Sequence, residues 1–200
     1  MKTAIDVLCA AHLGQALDLG TDMKNCDWAQ IPNLVQESLR LKSGQLAGCA
    51  ILFGAIVAGA EFDLRQKLFE LGCEFGMHLQ AFDDLGNLRC HNRNAKHLED
   101  LKLRRPSYVW SYLAEHGSPQ EKMEFLEIIE ILDTPQGPEK LQNHLIRYDL
   151  KVRARAHASA QWKEFKTKWR DWALNKKSTD LSQAFEEIFQ LGETLVQAYE

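Results

Sequence analysis

The stretch HLQAFDDLGN, residues 78–87, carries two stripes at helical spacing, one apolar and one made of oxygen-bearing side chains. Residues three, four and seven positions apart share one face of a helix, so the polar stripe brings four side chains together. These four are Gln80, Asp83, Asp84 and Asn87. An Asp-Asp pair on a helix is most often solvated, and it can also bind a metal ion. The stretch therefore predicts a helix whose polar face has two possible uses.

Helical periodicity extends over nearly the whole chain, and strand patterns are nearly absent. The pattern predicts an all-α protein in which residues 1–200 form a single domain. Glycine and proline clusters bound the predicted helices. These lie at about 3–17, 31–44, 45–60, 62–88, 106–117, 119–132, 137–147, 150–175 and 180–199. The polar segment 89–103 is expected to form an ordered surface loop or lid.

The composition is that of a folded protein with neither nucleic acid nor a membrane as its default partner. Of 200 residues, 45% are hydrophobic and 26% charged, and the formal net charge is -4 without basic runs. Five cysteines without a C-x-x-C pattern indicate reduced thiols. The first residues lack a signal-peptide pattern. We expect a cytoplasmic protein with no integral membrane segment.

The most apolar stretch, AGCAILFGAIVAGA at residues 47–60, is too short to cross a bilayer. It is apolar all the way round, which predicts a helix enclosed on every side. Its small residues would let neighbouring helices approach closely. The other amphipathic segments are barely enough to surround this helix. Either the bundle is compact, or helices from outside these 200 residues complete it.

Four short motifs place polar groups on otherwise apolar helices. In chain order they are GQALD at 14–18, KSG at 42–44, QAFDD at 80–84 and DLKLRR at 100–105. Each alone has a plain explanation, such as a helix terminus or a solvated turn. Together, as G-Q-x-x-D, K-[ST]-G-x-L, Q-x-x-D-D and D-L-x-x-x-[KR], they resemble the C-terminal half of the trans-isoprenyl diphosphate synthases, also called polyprenyl synthetases. The resemblance extends over residues 1–117, and 118–200 are read as C-terminal helices.

The resemblance implies an isoprenoid-synthase-type helical bundle and an Mg²⁺-dependent prenyltransferase. Such enzymes condense an allylic diphosphate with isopentenyl diphosphate, a homoallylic diphosphate. Diphosphate departs, an allylic carbocation forms, and the double bond of isopentenyl diphosphate attacks it. Magnesium ions with lysine and arginine side chains stabilise the departing charge.

The resemblance also implies roles for the candidate residues. Asp83 matches a magnesium ligand, and Asp84 and Asn87 match the other positions of the same metal motif. The remaining matches line the diphosphate cavity. Lys42, Lys96 and Arg105 stand at diphosphate-binding positions, Gln15, Asp18 and Gln80 at polar positions beside the cavity, and Ser43 in place of a threonine that faces the reacting atoms.

Two departures from the family pattern bear on function. The metal motif ends in Asn87 where the family has aspartate, which removes a charge from the magnesium site. In relatives, the first aspartate-rich motif and the isopentenyl diphosphate site lie upstream of GQALDL, so this chain holds about half of an active site. The expected partners are a second copy in a homodimer or a complementary chain with the first motif. Alternative functions are a non-catalytic regulatory subunit or degenerate homologue, and a terpene cyclase.

The segment QWKEFKTKWRDW at residues 161–172 places four aromatic rings on one helical face, with basic residues between them. The rings are Trp162, Phe165, Trp169 and Trp172. Such a helix can lie on a membrane surface or seal a helical bundle or a subunit interface. The acidic residues Glu164 and Asp171 favour sealing.

Overall fold

A computed structural model describes residues 4–88 and 98–199, and within these ranges every regular element is helical. The helices are α1 (Ala4–Gly20), α2 (Ile31–Leu39), α3 (Gln45–Val57), α4 (Phe62–Gly86), α5 (Glu99–Lys102), α6 (Tyr108–His116), α7 (Pro119–Glu130), α8 (Gly137–Arg147), α9 (Leu150–Asn175) and α10 (Thr179–Ala198). The prediction of an all-α protein is confirmed.

Two local predictions differ from the structure. Residues 31–57 form one continuous helical run, because a π-helical turn at Arg40–Gly44 joins α2 to α3 without a break. The amide of Gln45 donates to the carbonyl oxygen of Arg40, five residues back. The segment 89–103 was predicted as a loop, yet its residues 99–102 form α5, and 89–97 lie outside the described residues.

Helices α3 and α4 pack with their backbones almost in contact. A Cβ atom at Gly72 would lie 2.7 Å from the Cα of Gly48, and one at Gly76 would lie 2.7 Å from the carbonyl oxygen of Ser43. Only residues without a side chain permit this approach. The small residues of α3 therefore serve the close packing that the sequence predicts.

The aromatic face of α9 is buried. Trp162, Phe165 and Trp169 are at most 6% exposed, and they pack against Phe185 and Phe189 of α10. The interpretation that this stripe seals the bundle is confirmed. In the described part of the chain, no helix combines the length and apolar character that a transmembrane span needs.

The prediction of an enclosed helix at 47–60 is wrong for this chain taken by itself. Only one stripe of α3 is buried, while Phe53 is 50% exposed and Val57 is 89% exposed. Helix α1 likewise exposes Ile5, at 72%, and Leu13, at 62%. The described residues cover α1 and α3 on one side only, which leaves an apolar face composed of Ile5, Leu8, Leu13, Leu19, Leu46, Phe53 and Val57.

The α3–α4 contact predicts opposite effects for two glycine-to-alanine changes. We expect Gly72→Ala to lower the free energy of unfolding by about 1–3 kcal/mol, since the added methyl group meets backbone atoms that cannot move away cheaply. Gly54→Ala, in α3 with nothing within 4 Å of the new Cβ, is expected to raise it by up to about 1 kcal/mol. Urea titrations followed by circular dichroism measure both. Equal effects of the two changes would contradict the packing described.

Candidate functional site

Helix α1 and the π-helical turn meet at an ion pair. Gly14 allows this contact, because a Cβ at that position would lie 2.6 Å from the backbone nitrogen of Lys42. One helical turn later, the carboxylate of Asp18 is 3% exposed, and its Oδ2 lies 3.1 Å from Nζ of Lys42. The Lys42 side chain remains 34% exposed. A half-exposed ammonium is therefore held in place by a buried carboxylate.

The π-helical turn and α4 meet at a chain of hydrogen bonds. Ser43 Oγ donates to Gln80 Oε1 at 2.8 Å. The amide nitrogen of Gln80 in turn donates to Asp83 Oδ2 at 3.0 Å and to Asp84 Oδ1 at 2.9 Å. This chain links the Lys42–Ser43 turn to the carboxylates of α4 through a single glutamine side chain. With the Asp18–Lys42 pair described above, α1, the π-helical turn and α4 bring their predicted residues together.

The neighbouring aspartates lie in different surroundings. Asp83 is half-buried, and Asn87 Nδ2 approaches its Oδ2 at 3.4 Å. Asp84 is 6% exposed, and its second oxygen accepts a 2.7 Å hydrogen bond from the backbone N–H of Tyr108, at the start of α6. Burial raises the pKa of Asp84 to about 7, although the hydrogen bonds from Gln80 and Tyr108 act against the rise. Asp84 therefore ties α4 to α6, whereas Asp83 faces the less buried side.

A second group of charges borders the same region. Arg105 Nη1 lies 3.5 Å from Glu99 Oε1 and 4.0 Å from Asp100 Oδ1. Burial raises the pKa of Asp100, with Lys42 and Arg105 lowering it and Asp18 raising it further. The charges of Lys42, Arg105 and Asp18 are thus close enough to affect the pKa of Asp100. The sequence motif contained Asp100, yet its type and spacing alone did not identify it as a site residue.

The remaining predicted residues divide into two cases. Gln15 is half-buried on α1, one turn before Asp18. Lys96 lies outside the described residues. The structure thus brings together Asp18, Lys42, Ser43, Gln80, Asp83, Asp84, Asn87 and Arg105.

The donor set at the end of α4 fits a magnesium ion that is shared with a phosphate ligand. Mg²⁺ is usually held by one or two carboxylates together with substrate phosphates and water. Asp83 supplies one carboxylate, whose Oδ2 accepts from the amide nitrogens of Gln80 and Asn87, while both oxygens of Asp84 already accept hydrogen bonds. Among residues 4–88 and 98–199, no three His, Cys, Asp or Glu side chains form a metal-binding group. Asp83 is therefore the carboxylate that fits a partial metal site, and the Asn87 amide lies beside it.

The two aspartates are expected to differ in their effect on stability. Asp84→Ala leaves the buried N–H of Tyr108 without an acceptor and removes one of the two carboxylates to which the Gln80 amide donates, and we expect a loss of about 1–3 kcal/mol in the free energy of unfolding. Asp83→Ala, the same change at the adjacent residue, should cost about 0.5 kcal/mol or less because the side chain is half-buried. Urea denaturation of both variants provides the comparison. A larger loss at Asp83 would refute the assignment of Asp84 as the structural carboxylate.

Comparisons with known proteins identify the fold and the family. The chain matches solved structures of a decaprenyl diphosphate synthase from Rhodobacter capsulatus (TM-score 0.73, 19% identity), a geranylgeranyl pyrophosphate synthase (0.72, 16%) and an octaprenyl pyrophosphate synthase from Helicobacter pylori (0.66, 14%). The matches cover 98%, 96% and 92% of this chain and 58% of each of those chains. No curated protein matches the chain.

At such low identity the structural matches show the fold alone, which is the all-α fold of isoprenyl diphosphate synthases. The chain spans little more than half the length of these relatives. The family model for polyprenyl synthetases matches residues 1–146, well over half of the 200 residues. The chain belongs to the polyprenyl synthetase family.

Proposed function

We propose that this chain forms the part of an isoprenyl diphosphate synthase site that binds the diphosphate of an allylic substrate with Mg²⁺. The observation that carries the proposal is the convergence of Lys42, Ser43, Gln80 and Asp83, from two packed helical elements, with Asp18 of α1 against them. The family membership supports the same chemistry.

In this proposal, two described cations bind the diphosphate. The Lys42 ammonium is half-exposed beside its ion pair with Asp18, so it can contact an anion without leaving that pair. Arg105, 22% exposed at its side chain, offers a planar fork that suits two phosphate oxygens. The sequence motif predicts Lys96 as a third cation that binds the diphosphate. Charge-assisted contacts of this kind stabilise diphosphate both in the substrate and as it departs.

Bound Mg²⁺ would neutralise the diphosphate charge and so make it a better leaving group. The Asp83 carboxylate would hold the ion on the protein side, beside the Asn87 amide, whose nitrogen donates to Asp83 Oδ2. Gln80 holds the Asp83 carboxylate through its amide nitrogen and is itself held by Ser43. Asp84 acts indirectly, because it fixes Gln80 and the start of α6.

The exposed apolar face of α1 and α3 supports the proposal that this chain holds only part of the active site. We propose that a complementary stretch with the first aspartate-rich motif covers this face, either in a longer chain or in a partner chain. The homodimer and the cytoplasmic location remain predictions.

The second candidate function, a non-catalytic subunit, is favoured by Asn87 and by the absence of a third carboxylate near Asp83 in the described residues. Product formation from allylic and isopentenyl diphosphates after addition of the complementary stretch distinguishes the two.

Titration calorimetry with pyrophosphate tests the proposal on the isolated chain. We expect Mg²⁺-dependent binding, and we expect Asp83→Asn to abolish the dependence on Mg²⁺. Loss of the Lys42 charge should weaken binding roughly 10- to 100-fold, the value of one charge-assisted contact. Since Lys42→Gln alone would leave Asp18 buried without its cation, the test uses the double variant Asp18→Asn with Lys42→Gln. Asp171→Asn and Lys140→Gln, at exposed positions on α9 and α8, are the matched controls.

If neither the Asp83 change nor the Lys42 change alters pyrophosphate binding, the proposal is wrong. Circular dichroism of each variant separates loss of binding from loss of fold.

A further inference from the structure

A groove on a different face of α4 has no part in the proposed diphosphate site. Its volume is about 550 Å³, and α2, α4, α6 and α9 form its walls. Helix α4 contributes Met77, His78 and Ala81 to the groove, whereas Gln80 and Asp83 point to the diphosphate region. The volume is in the range of roughly 300–1,000 Å³ that is usual for small-molecule sites.

The floor of the groove is apolar. Val35 and Leu39 of α2, Met77 and Ala81 of α4 and Phe165 of α9 supply it. His78 completes it, with its ring centroid 5.1 Å from that of Phe165. Burial lowers the pKa of His78 to about 4, so the ring carries no positive charge at neutral pH. A hydrocarbon or aromatic body of moderate size fits such a floor.

The rim of the groove carries an excess of negative charge. Glu74, Glu115 and Glu164 line it, with Lys168 as the cation. Lys168 is already paired with Glu74, since its Nζ lies 2.6 Å from Glu74 Oε1. Glu115 Oε2 lies 3.9 Å from Nε2 of His116, an imidazole that forms an ion pair with it only when protonated. Within the described chain, neither Glu115 nor Glu164 forms an ion pair with a lysine or arginine. Two carboxylates without a lysine or arginine partner therefore lie at the mouth of an apolar groove.

Neutral hydrogen-bonding groups lie on the same side as these carboxylates. Ser111 and Gln161 line the groove, and the hydroxyl of Tyr108 lies 3.1 Å from Oε1 of Gln161 and 2.8 Å from Nδ1 of His157. An ammonium group could donate to the carboxylates, and it would find the amide and hydroxyl oxygens beside them. The lining thus offers acceptors for a cation and an apolar surface for its hydrocarbon body.

We infer that this groove is a second ligand site, which takes a small organic cation with an ammonium head and an apolar body. The ammonium binds between Glu115 and Glu164, and the body lies over Met77, His78 and Phe165. The site is separate from the diphosphate site in its residues and opposite to it in charge preference. Tyr108 adjoins both, because its side chain lines the groove and its backbone N–H is held by Asp84.

Binding of phenethylamine to the isolated chain tests the inference, with 2-phenylethanol as the neutral analogue and spermidine as a cation without an apolar body. We expect saturable binding of phenethylamine, and weaker binding of both other probes. Glu115→Gln with Glu164→Gln should weaken phenethylamine roughly tenfold or more and leave 2-phenylethanol unchanged. Glu127→Gln, at an exposed position on α7, is the matched control. Ser111→Trp, which fills the groove from a half-buried position, should abolish binding of all three probes.

Three outcomes overturn the inference. They are the absence of saturable phenethylamine binding, equal affinity for the amine and the alcohol, and affinity that the glutamate changes leave unaltered. Sedimentation at several concentrations adds a fourth, in which a second copy occupies the groove and Ser111→Trp abolishes self-association. Pyrophosphate binding is measured separately, so failure of this site and failure of the diphosphate site are distinguishable.

Discussion

The close approach of α3 and α4 is the constraint on which the candidate site depends. Gly72 and Gly76 let the two backbones come within contact distance, and the carbonyl of Ser43 lies against Gly76. Only at this separation can Ser43 Oγ reach the Gln80 side chain one turn further along α4. The Lys42 ammonium and the Asp83 carboxylate then belong to one region, although 40 residues separate them in the chain. A larger residue at either glycine would move the cation and the carboxylate apart.

The sequence predicted most helices because their apolar periodicity and their breaks are local signals. The bounds of α8 and α9 agree at both ends, and the motif residues of α4 lie on the predicted face. The π-helical turn at Arg40–Gly44 was not predicted, since its hydrogen bonds depend on the helices that pack around it. Its presence beside Lys42 and Ser43 is in keeping with the frequent occurrence of such turns at functional sites.

The different surroundings of Asp83 and Asp84 also depend on tertiary structure. Periodicity places both carboxylates on one polar face, and only the position of Tyr108 makes one of them a buried link to α6. The involvement of Asp100 with Lys42 and Arg105 is of the same kind, because it requires the path of the chain after the polar segment. The exposed apolar side of α1 and α3, in contrast, could be anticipated from the sequence. The sequence indicated that these helices need more partners than the described residues provide.

A crystal structure of the chain soaked with Mn²⁺ and pyrophosphate tests the central claim most directly, since anomalous scattering locates the metal ion without assumptions. The account predicts a manganese peak at coordination distance, about 2.1 Å, from a carboxylate oxygen of Asp83, with pyrophosphate between it and the ammonium of Lys42. Manganese and pyrophosphate bound elsewhere, with Asp83 and Lys42 unchanged, would contradict it.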